Sequence, residues 1–334
     1  MQARLYKALH NAFSYKTKQF FFVLIKLSIV VGAFYFIYNK LVNNASLDFL
    51  DFVTFLNENN VFSTKNIVFL LFLSSFNWFL EILKWQNLAS FAKKTTFFMA
   101  LQQSLGSLTA SLFTPNRIGE YGAKAIYFKK QFRKRILLLN LIGNLLQMTV
   151  TVVFGIIGFS LFVSQYPIEI NINRISRLLI IIVVLLVFSF FGIKQKKYKI
   201  KGFSLVKVKT FFKGIPLKIT VSTLLISVLR YLVFSFQFWF LLYLFGAKID
   251  YYQAMIIITS MYLLASIIPT FFIFDVIIKG SVAVYLFSFA GINEFTILCV
   301  ITVMWLLNFV LPSLFGSYFV LNFNFNFNKP NDSI

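Results

Sequence analysis

FFMALQQSLGSLTASLFTPNRIGEYGAKAIYFKK, residues 97–130, is an apolar run broken near its middle. Thr114, Pro115, Asn116, Arg117, Gly119, Glu120 and Lys124 interrupt it before the apolar character resumes and a basic cluster follows. A proline and two glycines in a helical stretch open the backbone. At membrane depth such unpaired groups persist only where protein or a wet cavity satisfies them. Arg117, Glu120 and Lys124 follow one another at spacings of three and four, which places them on one helical face as a mutually compensating cluster. Ionisable residues inside a membrane segment mark a functional site by default.

The rest of the chain requires that setting. Of 334 residues, 59% are hydrophobic, 46 are Phe and only 13% are charged, which excludes an ordinary soluble domain. Mean hydropathy is +0.81. One cysteine, Cys299, and one histidine, His10, leave no route to an internal disulfide or a zinc cluster, and no cofactor is expected. The formal charge of +22 does not indicate nucleic acid, because the Lys and Arg lie in short stretches between apolar runs. That is the positive-inside pattern, with attraction to anionic lipid as its consequence.

The reading is an all-α polytopic membrane protein in the cytoplasmic membrane with both termini cytoplasmic. Six full spans are expected at residues 20–38, 67–83, 136–163, 178–193, 219–245 and 295–319. No cleavage site follows the first, so it reads as a retained span. Residues 1–193 form the first half, 194–218 a cytoplasmic connector with nine lysines, and 219–334 the second half. Segment 97–130 has basic residues at both ends, Lys93 and Lys94 before it and Lys129, Lys130, Arg133, Lys134 and Arg135 after it. It is also longer than the roughly 20 residues of one crossing. It therefore reads as a re-entrant hairpin of two half-length helices with TPNRIGE at the tip. A tilted span followed by a surface helix is the alternative, and would put the dense basic run outside. A second interrupted stretch, 254–290, carries Pro269, Asp275, Lys279 and Gly280 and reads as a second hairpin, entering from outside. Glu81 and Lys84 are placed near a membrane boundary.

Sliding the chain by 155 residues lays Ala265 and Ser266 on Ala110 and Ser111, Asp275 on Glu120 and Lys279 on Lys124. With opposite orientations of the two stretches, this reads as an inverted repeat whose interrupted helices flank a central site. Two unrelated kinked regions are the alternative. Arg117, Lys124, Arg230 and Lys279 outnumber the embedded acids Glu120 and Asp275, so the centre meets water or awaits an anion. Arginine suits phosphate because its fork binds two oxygens. Thr114 and Asn116 are hydrogen-bonders to a headgroup or to the broken helix end. The expected ligand-binding set is Thr114, Asn116, Arg117, Glu120, Lys124, Arg230, Asp275 and Lys279. Arg117 with Glu120 has a purely structural alternative as an ion pair closing the hairpin, and Arg230 has one as a snorkelling side chain. Gly119 and Gly122 are expected to serve backbone geometry or close packing.

The run Pro115, Arg117, Ile118, Gly119, Glu120, with the following Ala125, Ile126, Tyr127 and basic residues, resembles the signature of the lysylphosphatidylglycerol synthase transmembrane-region family, or flippase-like domain family. IIPTFFIFDVIIKGSVAVYLFSFAGI is similar, more loosely, to that family's later proline-containing segment. It has Phe271, Phe274 and Asp275 where the family has a glycine-rich stretch with a glutamate. The resemblance implies a membrane protein that flips or moves a lipid, and carries a motif role to Arg117 and Glu120. The fused soluble synthase of its best-understood branch has no counterpart after the last span, so lysyl transfer is not implied. The expected function is translocation of an anionic or phosphate-containing lipid, a phospholipid or a polyprenyl-phosphate-linked one, with membrane lipid as partner. A carrier of a small soluble anion and a non-transporting partner of a cell-envelope lipid enzyme are the alternatives. An enzyme is not expected, since base, nucleophile and metal options are poor.

Overall fold

The computed structural model of the chain describes residues 31, 35, 49–58, 63–112, 114, 118–166, 205–267 and 272–323. Among these, all regular structure is helical. Four helices are long and apolar enough to cross a membrane: α2 (Thr64–Ala92), α5 (Lys130–Gln165), α7 (Leu217–Leu244) and the final Glu294–Leu321 helix. The last consists of α10 (Glu294–Trp305), a π turn (Leu306–Val310) and α11 (Leu311–Leu321). The expected spans at 20–38 and 178–193 lie outside the described residues. So do the N-terminal tail, most of the 164–177 loop and the 324–334 tail.

Between the long helices come shorter ones. α3 (Phe97–Ser111) and α4 (Gly119–Ile126) pack on each other, as do α8 (Tyr251–Ile267) and α9 (Phe272–Ser288). The Tyr127 hydroxyl donates to the Gln102 carbonyl at 3.3 Å, so the chain after α4 has returned alongside the first part of α3. The two helices of the 97–130 stretch thus lie side by side. At the other stretch Gln253, at the start of α8, donates to the Tyr166 hydroxyl at 2.7 Å. Phe289, just past α9, has its ring 6.0 Å from that of the same Tyr166, so both ends of that pair also lie together. Gly291, with φ +69°, ends α9 in the left-handed region that glycine tolerates, and the Ile292 N–H closes back on the Phe287 carbonyl at 3.2 Å.

Two elements fall where no helix is expected. α1 (Phe49–Glu58) lies in the 39–66 segment read as an outer loop and buries Leu56 against the main apolar core, with Phe55 5.2 Å from the rings of both Phe245 and Phe295. α6 (Leu205–Lys213) lies in the basic connector and rests Phe211 against Phe91.

The helix ends sort by charge. One end of the bundle gathers Ala92, Phe128, Phe132, Phe211 and Ile215 in one apolar cluster, and its exposed neighbours include Lys93, Lys94, Lys129, Lys130, Lys134, Arg135, Lys213 and Lys218. The other end gathers Leu56, Phe245, Phe289 and Phe295, near exposed Asp51, Glu58 and Glu294.

Small residues set the seams. Gly316 on α11 sits so close to α3 that a Cβ there would lie 2.2 Å from the Leu105 carbonyl oxygen. Thr109 donates across the same seam to the Ser313 carbonyl at 2.8 Å. α5 meets α8 through Gly155 and Gly158, where a Cβ would overlap Leu263 and Thr259. This close packing of small residues is how helices associate where apolar burial gives no preference. α3 therefore packs on the last long helix of the second half, and α8 on the last long helix of the first.

Candidate functional site

Each long helix carries a polar residue near its midpoint: Asn77 and Glu81 on α2, Gln147 on α5, Arg230 on α7 and Asn308 in the π turn. They meet. Arg230 forms an ion pair with Glu81 through its Nη1, which also donates to Gln147 Oε1 at 3.2 Å. Its Nε donates to Asn77 Oδ1 at 3.2 Å. Lys84, one turn beyond Glu81, pairs with the same carboxylate oxygen at 2.7 Å. One carboxylate thus serves two cations, and Gln147 holds its amide oxygen towards both.

The network runs on to Asn308. Asn77 Nδ2 donates to Asn308 Oδ1 at 3.2 Å, and Asn308 Nδ2 donates to Gln237 Oε1 at 2.9 Å. The π turn that presents Asn308 has a local cause. Pro312 has no N–H to return to the carbonyl of residue 308, and its ring crowds that carbonyl. Leu311 N–H bonds back to Leu306, leaving the Leu307 carbonyl free as well. α2 satisfies both: Trp78 Nε1 donates to the Asn308 carbonyl at 3.0 Å and Ser74 Oγ to the Leu307 carbonyl at 2.6 Å. Ser74 and Trp78 are one helical turn apart, which matches a break one turn long. π turns inside helices cluster at functional sites.

A second ion pair comes from the first hairpin. Lys124, 1% exposed, donates to Glu120 at 2.7 Å and to Asn140 Oδ1 at 2.9 Å, with its ammonium 4.3 Å from the Trp85 ring centroid. Trp85 is held by its own indole N–H on Gln103 at 2.7 Å. A buried lysine needs this many partners, since an ammonium left dry and unpaired is costly.

The two groups border one cavity of about 730 Å³. Glu81, Lys84, Arg230, Glu120, Lys124, Asn144 and Gln147 supply its polar lining, and Tyr231, Phe234, Met148 and Tyr262 an apolar and aromatic wall. Ala265, Ser266 and Ile267, at the inner end of α8, close another side, with Lys279. Met148, 43% exposed, and Ile267, 59% exposed, are the most open apolar residues of the lining.

Of the residues expected to bind ligand, Glu120, Lys124, Arg230 and Lys279 are brought to this cavity, Lys279 as an exposed side chain and not an embedded one. Arg117 and Asn116, with Pro115 and Pro269, lie outside the described residues. Asp275 falls on α9 one turn before Lys279. Thr114 goes to the broken helix end: its hydroxyl donates to the Ser111 carbonyl and accepts the Gly119 N–H, both at 2.8 Å. Gly119 is tight against it, with a Cβ meeting Thr114 Cγ2 at 2.7 Å. Gly122 faces open space, so of the two roles expected for it, backbone geometry or close packing, the packing one is not found.

Glu81 and Lys84 are the main correction. The apolar run was expected to stop at residue 83, which put both at a boundary. α2 continues to Ala92, so both lie well inside it, and Arg230 is paired within the bundle instead of snorkelling. The signal was in the sequence: Trp85, Leu88 and Ala89 continue the buried face before Lys93 and Lys94 mark the real end.

The described residues are all-helical, and four of the helices around this charged cavity have the length and apolarity of membrane spans, as in a polytopic membrane protein. No family model, no curated protein and no solved structure matches it.

Proposed function

We propose that the chain is a lipid transporter of the flippase type, moving a lipid with an anionic, phosphate-containing headgroup between the leaflets of the cytoplasmic membrane. The observation that carries this reading is the cavity itself. Four cations, Lys84, Lys124, Arg230 and Lys279, border a space at the midpoint of the long helices, and the exposed apolar residues Met148 and Ile267 are part of the same lining. A phosphate in the cavity meets Arg and Lys donors in a medium of low dielectric. Tails attached to it need an exit into the bilayer, and on this reading they leave past Met148 and Ile267. A carrier of a small soluble anion needs a cavity closed at the sides.

On this reading the two halves form an inverted repeat. The order of long helix, two short helices, long helix recurs, and each half lays its first short helix on the last long helix of the other, as a two-fold axis in the membrane plane requires. Paired hairpins entering from opposite faces then reach one central site. The basic end of the bundle faces the cytoplasm by the positive-inside rule. The resemblance to the flippase-like domain family agrees with this reading and rests on the 115–120 motif.

The test is headgroup translocation in proteoliposomes, read by dithionite quenching of acyl-labelled fluorescent phosphatidylglycerol and of a polyprenyl-phosphate probe. Arg230→Gln and Lys124→Gln are each expected to lower the rate at least tenfold. Wild-type rates in both variants would place transport, if present, elsewhere and overturn the assignment.

A further inference from the structure

One continuous chain of hydrogen bonds links Arg230 to the π turn and beyond it. Arg230 Nε donates to Asn77 Oδ1 at 3.2 Å, and Asn77 Nδ2 donates to Asn308 Oδ1, also at 3.2 Å. Asn308 Nδ2 carries the chain to Gln237 Oε1 at 2.9 Å, and Gln237 Nε2 ends it on the Leu70 carbonyl at 3.3 Å. The chain starts on α7, crosses α2 and the π turn, returns to α7 and closes on α2, with Asn77, Asn308 and Gln237 all buried. Its direction is forced. A guanidinium only donates and a backbone carbonyl only accepts, so each amide between them has one orientation, with its oxygen towards Arg230. The amide dipoles therefore turn their negative ends to the cation and polarise one another.

This arrangement occupies one part of the guanidinium and leaves another. Nε is held by Asn77, and Nη1 by Glu81 and Gln147. Nη2 makes no hydrogen bond among the described residues yet is not closed off from solvent, and the side chain that carries it lines the cavity. We infer that Asn308 and Gln237 are positioning residues of the site: acting through Asn77, they fix the plane of Arg230 so that Nη2 stays turned to the cavity as a donor for an entering anion. A guanidinium already held on one side loses little freedom when it binds, which is the advantage of a pre-organised donor. The π turn then has a task, which is to set Asn308 between Asn77 and Gln237. This inference deepens the proposed function and rests on its anion site, but not on the anion belonging to a lipid.

The experiment measures binding of inorganic phosphate by thermal shift titration of the detergent-purified full chain, against chloride at equal ionic strength. Asn308→Leu keeps the size of the side chain and breaks the hydrogen-bond chain at its centre. Asn308→Ser is the second variant, polar but too short to bridge its two neighbours. Each is expected to weaken phosphate binding about tenfold, the worth of one charge-assisted hydrogen bond. Lower stability alone does not establish the role, since both variants leave amides unpaired. The distinguishing readout is a double-variant cycle with Arg230→Lys, which keeps a cation at the site but has no Nε–H to be held. In that background Asn308→Leu is expected to change phosphate affinity by no more than about twofold. Unchanged affinity in Asn308→Leu and Asn308→Ser, or an equal loss in the Arg230→Lys background, overturns the positioning role and leaves the anion site standing. Absence of phosphate binding by the wild-type chain overturns the anion site and the positioning role with it.

Discussion

Glu81→Gln is the substitution with the largest consequence for stability, and its size follows from the way one carboxylate is shared. Glu81 pairs with both Lys84 and Arg230, whose side chains are 4% and 18% exposed. Removing the carboxylate leaves two buried cations beside each other with only the Gln147 and Asn77 oxygens near them. Breaking a buried pair by removing one partner costs about 3–5 kcal/mol, because the remaining charge is uncompensated. Removing either cation is different in kind: Arg230→Gln leaves the Glu81–Lys84 pair, and Lys84→Gln leaves Glu81–Arg230. Each then loses a hydrogen bond or two, about 1–2 kcal/mol. The assay is equilibrium unfolding in mixed micelles of lipid-free protein, followed by helical circular dichroism. The expected order is Glu81→Gln well above Arg230→Gln and Lys84→Gln, with a gap of about 2 kcal/mol. An Arg230→Gln cost equal to that of Glu81→Gln, or a Glu81→Gln cost within about 0.5 kcal/mol of zero, would refute the shared-counter-ion reasoning.

Three further outcomes follow from the packing. Gly316→Ala drives a methyl into the Leu105 carbonyl, and is expected to cost about 2 kcal/mol or more through displacement of α11 from α3, whereas Gly122→Ala, facing open space, stays within about 0.5 kcal/mol; both are read by the same unfolding assay. Trp78→Phe strips the donor from the Asn308 carbonyl and is expected to cost about 1–2 kcal/mol, and less in a Pro312→Ala background, where a backbone N–H returns for that carbonyl; additive costs would show that the π turn does not depend on Pro312. Cys299 is fully buried, so the wild-type chain is expected to resist membrane-permeant maleimides, while Lys65→Cys and Lys134→Cys, at opposite ends of the bundle, are labelled by an impermeant reagent from opposite faces of sealed vesicles. Labelling of both from one face would break the assigned sidedness.

The spans were legible because apolar length is an additive property of the chain. Long runs predicted α7 and the final helix to within two residues and α5 from six residues inside its start. That each interrupted stretch breaks into two short helices was legible for the same reason: an apolar run too long for one crossing and polar at its middle does not continue as one helix. What failed was local. Lys84 was read as the end of a span because lysine is usually solvated. Its pairing with Glu81 depends on Arg230 and Gln147, which lie on other helices far along the chain. A carboxylate that neutralises residues 3 and 149 positions away leaves no periodic trace. The same holds for Asn308, whose prominence comes from Pro312 four residues later and from Trp78 across the bundle.

The shared carboxylate also bears on how a site of this kind would release what it binds. Glu81 satisfies Arg230 and Lys84 together, and Glu120 satisfies Lys124, so these three cations are paired within the protein itself. An entering phosphate needs to capture only one of the two cations on Glu81, since the other keeps the carboxylate. The exchange replaces one ion pair with another of similar strength, and its net free energy is small compared with either pair alone. A carrier requires that balance, because a phosphate held by unopposed cations would stay. On the proposed transport reading Glu81→Asp, which keeps the charge but shortens its reach, is expected to weaken one pair and tighten anion binding, while slowing transport. Weaker binding together with faster transport would show that Glu81 does not compete with the ligand for Arg230.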